Sequence, residues 1–198
     1  MENEEMLSGE KSLQIIHQMI SNAKTNLTDN GLGWLLWGTL IFLSSVATYF
    51  LILVNYHNLF LSWNIFGVIS VILLLYSFAR KKKKVVRTYI DDVLRWVDVG
   101  FASCLFIIIL SINISVGPNN GFGYLLMLYG FLMIVQGGAL QFKPLIIGAV
   151  INWIGAIAIF INTIFKYDML ITAAAVFIGY IIPGLLLRYR YNKTTVRH

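Results

Sequence analysis

Near-continuous apolar runs recur six times in this chain, at residues 34–54, 59–78, 97–114, 122–139, 145–165 and 170–187. A helix of about twenty residues covers about 30 Å, the thickness of a bilayer's hydrocarbon layer. None of the runs shows the strict polar–apolar alternation of a membrane barrel strand. A backbone surrounded by lipid must also bond within itself. The pattern therefore predicts an all-α, polytopic membrane protein with six transmembrane helices. Composition points the same way, with 58% hydrophobic and 12% charged residues in a chain of 198. A water-soluble globule of this size has too little interior to hide so much apolar surface.

Charge placement gives the expected orientation. Arg80, Lys81, Lys82, Lys83, Lys84, Arg87 and Arg95 lie between the second and third runs, Lys143 between the fourth and fifth, and Arg188, Arg190, Lys193 and Arg197 after the sixth. With Lys11 and Lys24 in the leader, 14 of the 15 basic residues fall on one side, and Lys166 alone on the other. The positive-inside rule then predicts that both termini lie in the cytoplasm. The net charge of +6 is placed beside the apolar runs, which favours anionic lipid headgroups over nucleic acid as the partner. Arg80, Lys81–Lys84 and Arg87 are the expected headgroup contacts. The acidic start MENEEMLSGEK lacks the features of a cleaved signal peptide.

Three parts follow: a cytoplasmic amphipathic segment at 1–32, a six-span domain at 33–187 with a basic 80–96 connection, and a basic tail at 188–198. In the first part Leu13, Ile16, Ile20, Ala23 and Leu27 form one apolar stripe on a helix, and Asn30-Gly31 is a helix stop signal. Val86, Ile90, Val93 and Val97 predict a second amphipathic element over 80–97. Pro183 predicts a kink in the last span, whereas Pro118 and Pro144 suit connections.

Little in the chain carries reaction chemistry. Its three histidines, His17, His57 and His198, are scattered, and Cys104 is the one cysteine. No metal-ligand spacing, phosphate loop or dinucleotide fingerprint occurs in a suitable context. Asp168, beside Lys166 in the last outer turn, makes no carboxylate pair. The expectation is a protein that is no enzyme and needs no cofactor or metal. Asp98, near the start of a span, should face the bundle or the inner interface, because an ionised carboxylate in lipid costs several kcal/mol. Asn64, Gln136 and Asn152 are neutral polar residues inside apolar runs, each needing a hydrogen-bond partner when shielded from water. Trp63 and Trp153 lie beside two of them. Together with Asp98 these residues are the candidates for buried polar contacts or a solute path.

An internal echo bears on that choice. Asn30-Gly31-Leu32-Gly33-Trp34-Leu35-Leu36 returns as Asn120-Gly121-Phe122-Gly123-Tyr124-Leu125-Leu126, and Trp63 as Trp153 at the same 90-residue offset. Three crossings separate the copies, so a true repeat would be inverted, as in many alternating-access transporters. The match fails where Asp98 would meet Arg188.

The amphipathic leader, the NGLGWLLWG stretch at 30–38 and the basic connection after the second span together resemble a family of small uncharacterised six-helix inner-membrane proteins of bacteria. The resemblance covers most of the chain as an arrangement and implies no activity. The leading functional expectation is a non-catalytic membrane scaffold, regulator or accessory subunit, acting as a homodimer or with a membrane-protein partner. The alternative is a small transporter or channel for a small solute or ion, built on a 3+3 inverted repeat.

Overall fold

The computed structural model describes residues 31–79, 89–116 and 118–195. These form α1 (Leu32–Leu53), α2 (Leu61–Ala79), α3 (Tyr89–Ser111), α4 (Pro118–Ala139), α5 (Lys143–Ile161), α6 (Phe165–Val176) and α7 (Ile182–Thr195). A π turn, Ile112–Val116, follows α3, and a second, Phe177–Ile181, joins α6 to α7 in one path. No strand occurs among the described residues. Each of the six expected runs is helical. Five helical paths are long and apolar enough to cross a membrane, the longest being Phe165–Lys193, and in α2 the qualifying apolar stretch is the shorter Leu61–Leu73.

The boundaries differ from expectation in instructive places. α3 starts at Tyr89, so the end of the expected 80–97 surface element is the beginning of a long helix. Its earlier part, with Arg80, Lys81, Lys82, Lys83, Lys84 and Arg87, lies outside the described residues, as does the expected helix before Gly31. Pro118 and Pro144 sit not in connections but in the first turns of α4 and α5. A first-turn residue has no intrahelical use for its N–H, and proline's fixed φ suits the position. The fifth run was expected to stay helical to residue 165. It stops at Ile161, where Asn162 turns extended (φ −79°, ψ 142°) and its side-chain amide donates to the Ile164 carbonyl at 2.8 Å. Short polar side chains compete with the helix in this way.

Two helix ends are built alike. After α1, Asn55 adopts a left-handed φ of 51°, with Asn55 N–H bonding Ile52 O (3.2 Å) and Tyr56 N–H bonding Leu51 O (2.9 Å). After α4, Gln141 does the same at φ 50°, with bonds to Gly138 O (3.1 Å) and, from Phe142, to Gly137 O (2.9 Å). Both are Schellman closures, which satisfy the last carbonyls of a helix.

The α1 helix runs antiparallel to the α6–α7 path. Trp34 packs on Tyr180 (centroids 5.1 Å apart) and Phe42 on Phe177 (5.5 Å). Gly31, at φ 69°, has no room for a side chain: a Cβ would lie 2.7 Å from Gly184 O and 2.9 Å from Arg188 N. The start of α1 and the last helix therefore share one end of the bundle. On the other flank α4 packs closely along α5, with the Trp153 indole filling the notch left by Gly130. The α2 helix leans on α1 (Trp37–Phe66, 5.5 Å) and α3 on α4 (Phe101–Tyr129, 5.9 Å). The order across the bundle is thus α2, α1, α6–α7, α5, α4, α3. Although consecutive in sequence, α2 and α3 are the two ends of this arc and do not pack on each other over the described residues. Inside the arc, aromatic rings from both flanks meet: Tyr129 lies 5.8 Å from Tyr180 and accepts a hydrogen bond from the Trp37 indole N–H.

Much of the outer surface is apolar. Phe106, Ile107, Ile147, Ile154, Val68 and Ile72 are each more than half exposed, an arrangement that water would oppose and lipid accept.

Candidate functional site

Polar side chains inside the bundle use their hydrogen bonds chiefly to join or shape helices. On α1, Ser45 Oγ donates to Ile41 O (2.9 Å) and Thr48 Oγ1 to Ser44 O (2.8 Å). Thr48 Oγ1 also lies 2.6 Å from Ser62 Oγ of α2. This hydroxyl stripe was not singled out from sequence, although three hydroxyls at spacings of one and three in an otherwise apolar run are its signal.

The sequence-derived candidates do not converge. Asn64 is exposed on α2. Asn152 is fully buried on α5, where Nδ2 donates to Gly148 O (2.8 Å) and reaches Met133 Sδ (3.4 Å). Its Oδ1 has no partner among the described residues. Asp98 and Gln136 do meet: the Gln136 amide donates to Asp98 Oδ1 at 2.9 Å, tying α3 to α4. Trp153 donates from its indole N–H to Met127 O at 3.1 Å across α5 and α4. Trp63 packs edge-on to Phe66 (5.6 Å) and tilted against Phe122 (4.8 Å), with its indole nitrogen buried and unbonded among the described residues. The echoed positions therefore have unlike surroundings. Gly31 is left-handed outside α1, whereas Gly121 lies within α4.

Asn152 stands at a tight helix crossing. A Cβ on Gly148 would fall on the Gly179 carbonyl oxygen, and one on Gly179 would fall on the Asn152 amide. Gly179 belongs to the π turn, four residues before Pro183. Proline has no N–H to give the Gly179 carbonyl in an α-helix, and the path widens to a π turn there. The carbonyl left over lies against the bare Cα of Gly148, a geometry suited to a weak Cα–H···O contact.

One acid was misjudged. Asp168, expected on an outer turn, is fully buried on the first turn of α6. Its Oδ1 accepts from Asn162 Nδ2 at 2.6 Å, and its Oδ2 is buried with no partner among the described residues. Thr172 Oγ1 donates to the Asp168 backbone carbonyl at 2.8 Å. The only sequence signal was the pairing of a helix-ending Asn with an Asp one turn into the next helix. No group of three or more His, Cys, Asp or Glu side chains able to hold a metal occurs among the described residues. Comparison with family models, with curated proteins and with solved structures gave no match.

Proposed function

We propose that the chain is a six-span protein of a bacterial inner membrane that acts without catalysis, as a scaffold, regulator or accessory subunit. The observation that carries this reading is α3. The apolar window of the Asp92–Ile114 path contains no buried residue, against 50% in Phe165–Lys193. A narrow stripe of partly buried side chains, Val97, Phe101, Leu105, Ile108 and Ile112, packs on the core. A helix that buries so little against the described residues is available to a neighbouring membrane protein or to lipid. Basic residues support cytoplasmic termini: Lys143, Arg188, Arg190 and Lys193 belong to the end of the bundle that holds Gly31, with Arg190 lying 5.9 Å over the Phe142 ring, while Lys166 is at the opposite end.

Gentle solubilisation of tagged chain tests the reading. One membrane protein should be recovered at fixed stoichiometry and lost in Phe106→Ala/Ile107→Ala, a change on the outward face of α3. Recovery of the chain alone and monomeric would defeat it. The transporter reading has support in the unpartnered oxygens of Asn152 and Asp168, since intramembrane polar groups often mark a pathway. Solute uptake into liposomes holding the purified chain, lost in Asn152→Leu, would establish that reading instead.

A further inference from the structure

Asp168 has chemistry that helix packing does not account for. Its carboxyl faces inward one turn below Phe165, whose ring contacts Phe60 and Phe122 (6.0 Å each). Asn162 reaches across the break between α5 and α6 to bond Oδ1, and holds the Ile164 carbonyl with the same nitrogen. Oδ2 has neither donor nor solvent-exposed surface.

The charges around it are few. The helices packed against α6 are α1, α4 and α5. The first two contribute no acid or base, only Tyr49, Tyr124 and Tyr129, and α5 carries Lys143 at the far end. On α6 itself Lys166 lies 5.0 Å over the Tyr167 ring, and His57 is exposed in the turn after α1. Among the described residues none of these bonds the carboxyl, whose side-chain donor is Asn162. The free amides opening α6 favour an anion. Complete removal of an unpaired oxygen from water opposes it more strongly.

We propose that Asp168 is a proton-binding site. Its carboxyl is a neutral acid, protonated on Oδ2, while the Asn162–Ile164 turn is closed over it. When that turn opens, the O–H bond breaks, the electron pair stays on the carboxylate, and the proton passes to water at the end of the bundle opposite Gly31. This device is independent of whether the chain serves as a scaffold or a transporter.

Infrared difference spectroscopy of the full chain in lipid nanodiscs, wild type minus Asp168→Asn at neutral pH, tests the first half. A protonated-carboxyl C=O band that shifts in D2O should be present and be lost in the variant. An ionised-carboxylate band in its place overturns the proposal. Should Asp168→Asn not fold, Asp168→Glu supplies the difference, with the C=O band moving in frequency rather than vanishing; no movement in that region overturns the proposal equally. The second half is read by maleimide labelling of Met169→Cys, a fully buried position beside the carboxyl, in a Cys104→Ser background, with and without Asp168→Asn. The ratio of the two rates should climb with pH, by up to about tenfold per unit, the limit for release of one proton. A flat ratio overturns the link to opening.

Discussion

Gly148 of α5 and Gly179 of the π turn meet backbone to backbone, and the Asn152 amide closes the gap beside them. Small residues allow such approaches, on which helix association in lipid depends because no hydrophobic force pulls the helices together. The two glycines are not equivalent. What blocks a methyl group at Gly148 is a carbonyl on the partner helix, whereas what blocks one at Gly179 is chiefly a side chain. Gly148→Ala and Gly179→Ala should each destabilise by about 1–3 kcal/mol, the usual range for overpacking. Adding Asn152→Ala should relieve Gly179→Ala by about 1 kcal/mol or more of coupling and leave Gly148→Ala unrelieved. Thermal unfolding of the double-mutant cycle in detergent checks this; equal relief at both positions would contradict the geometry.

Gln141 holds a conformation better suited to glycine, at φ 50° on an exposed turn. Left-handed backbone costs an L-residue about 1–2 kcal/mol, and Gln141 has no local compensation of the kind asparagine can find. Gln141→Gly should raise stability by about 1 kcal/mol, an increase in melting temperature of about 2–4 °C. Asn55→Gly, at the matching closure after α1, should gain less. Calorimetry of the two variants distinguishes them.

The bond from Gln136 to Asp98 is a polar tie between α3 and its neighbour. Gln136→Leu should loosen α3 at its first turns and leave the α4–α5 pair intact. A membrane-protein side-chain hydrogen bond is worth about 1 kcal/mol, so amide exchange over 92–98 should quicken roughly fivefold, with exchange in α5 unchanged. Uniform quickening throughout the chain would mean that the bond supports the whole bundle.

Gly31 should tolerate no side chain. Gly31→Ala forces a methyl group against Gly184 O and Arg188 N and also places alanine at φ 69°. The expected loss is about 2–4 kcal/mol from the two causes combined. Gly33→Ala, two residues on, meets nothing within 4 Å and should be neutral or slightly favourable, given alanine's better helix propensity. The pair of melting curves is an internal control.

The helices were legible in the sequence because apolar runs of membrane-crossing length have few other uses. Their ends were less so. Pro118 and Pro144 read equally well as connection or first turn, and only the position of the first unpaired N–H decides between them. Asn162 gave no sign that its side chain would end α5 four residues before the apolar run does. The polar candidates were legible as residues in need of partners and illegible as a set, because partners across helices depend on rotation about each axis. Asp98 and Gln136 are 38 positions apart and meet; Asn64 and Asn152 do not, since one faces outward and the other lies in the core. Asp168 was hidden by its own charge and that of Lys166, which together resemble a wet turn.

The π turn at Phe177–Ile181 carries one residue more than an α-helical path of the same rise would use. The extra residue is taken up inside the widened turn, so the helix beyond it keeps the face that Gly184 and Arg188 turn toward Gly31. Deleting a single residue within 177–181 would restore an even α-helical spiral with that docking kept, whereas a residue added with no widened turn to absorb it would swing the last helix by about 100°, the rotation per residue of an α-helix. An alignment gap at this point is therefore compatible with the same docking of the first and last helices.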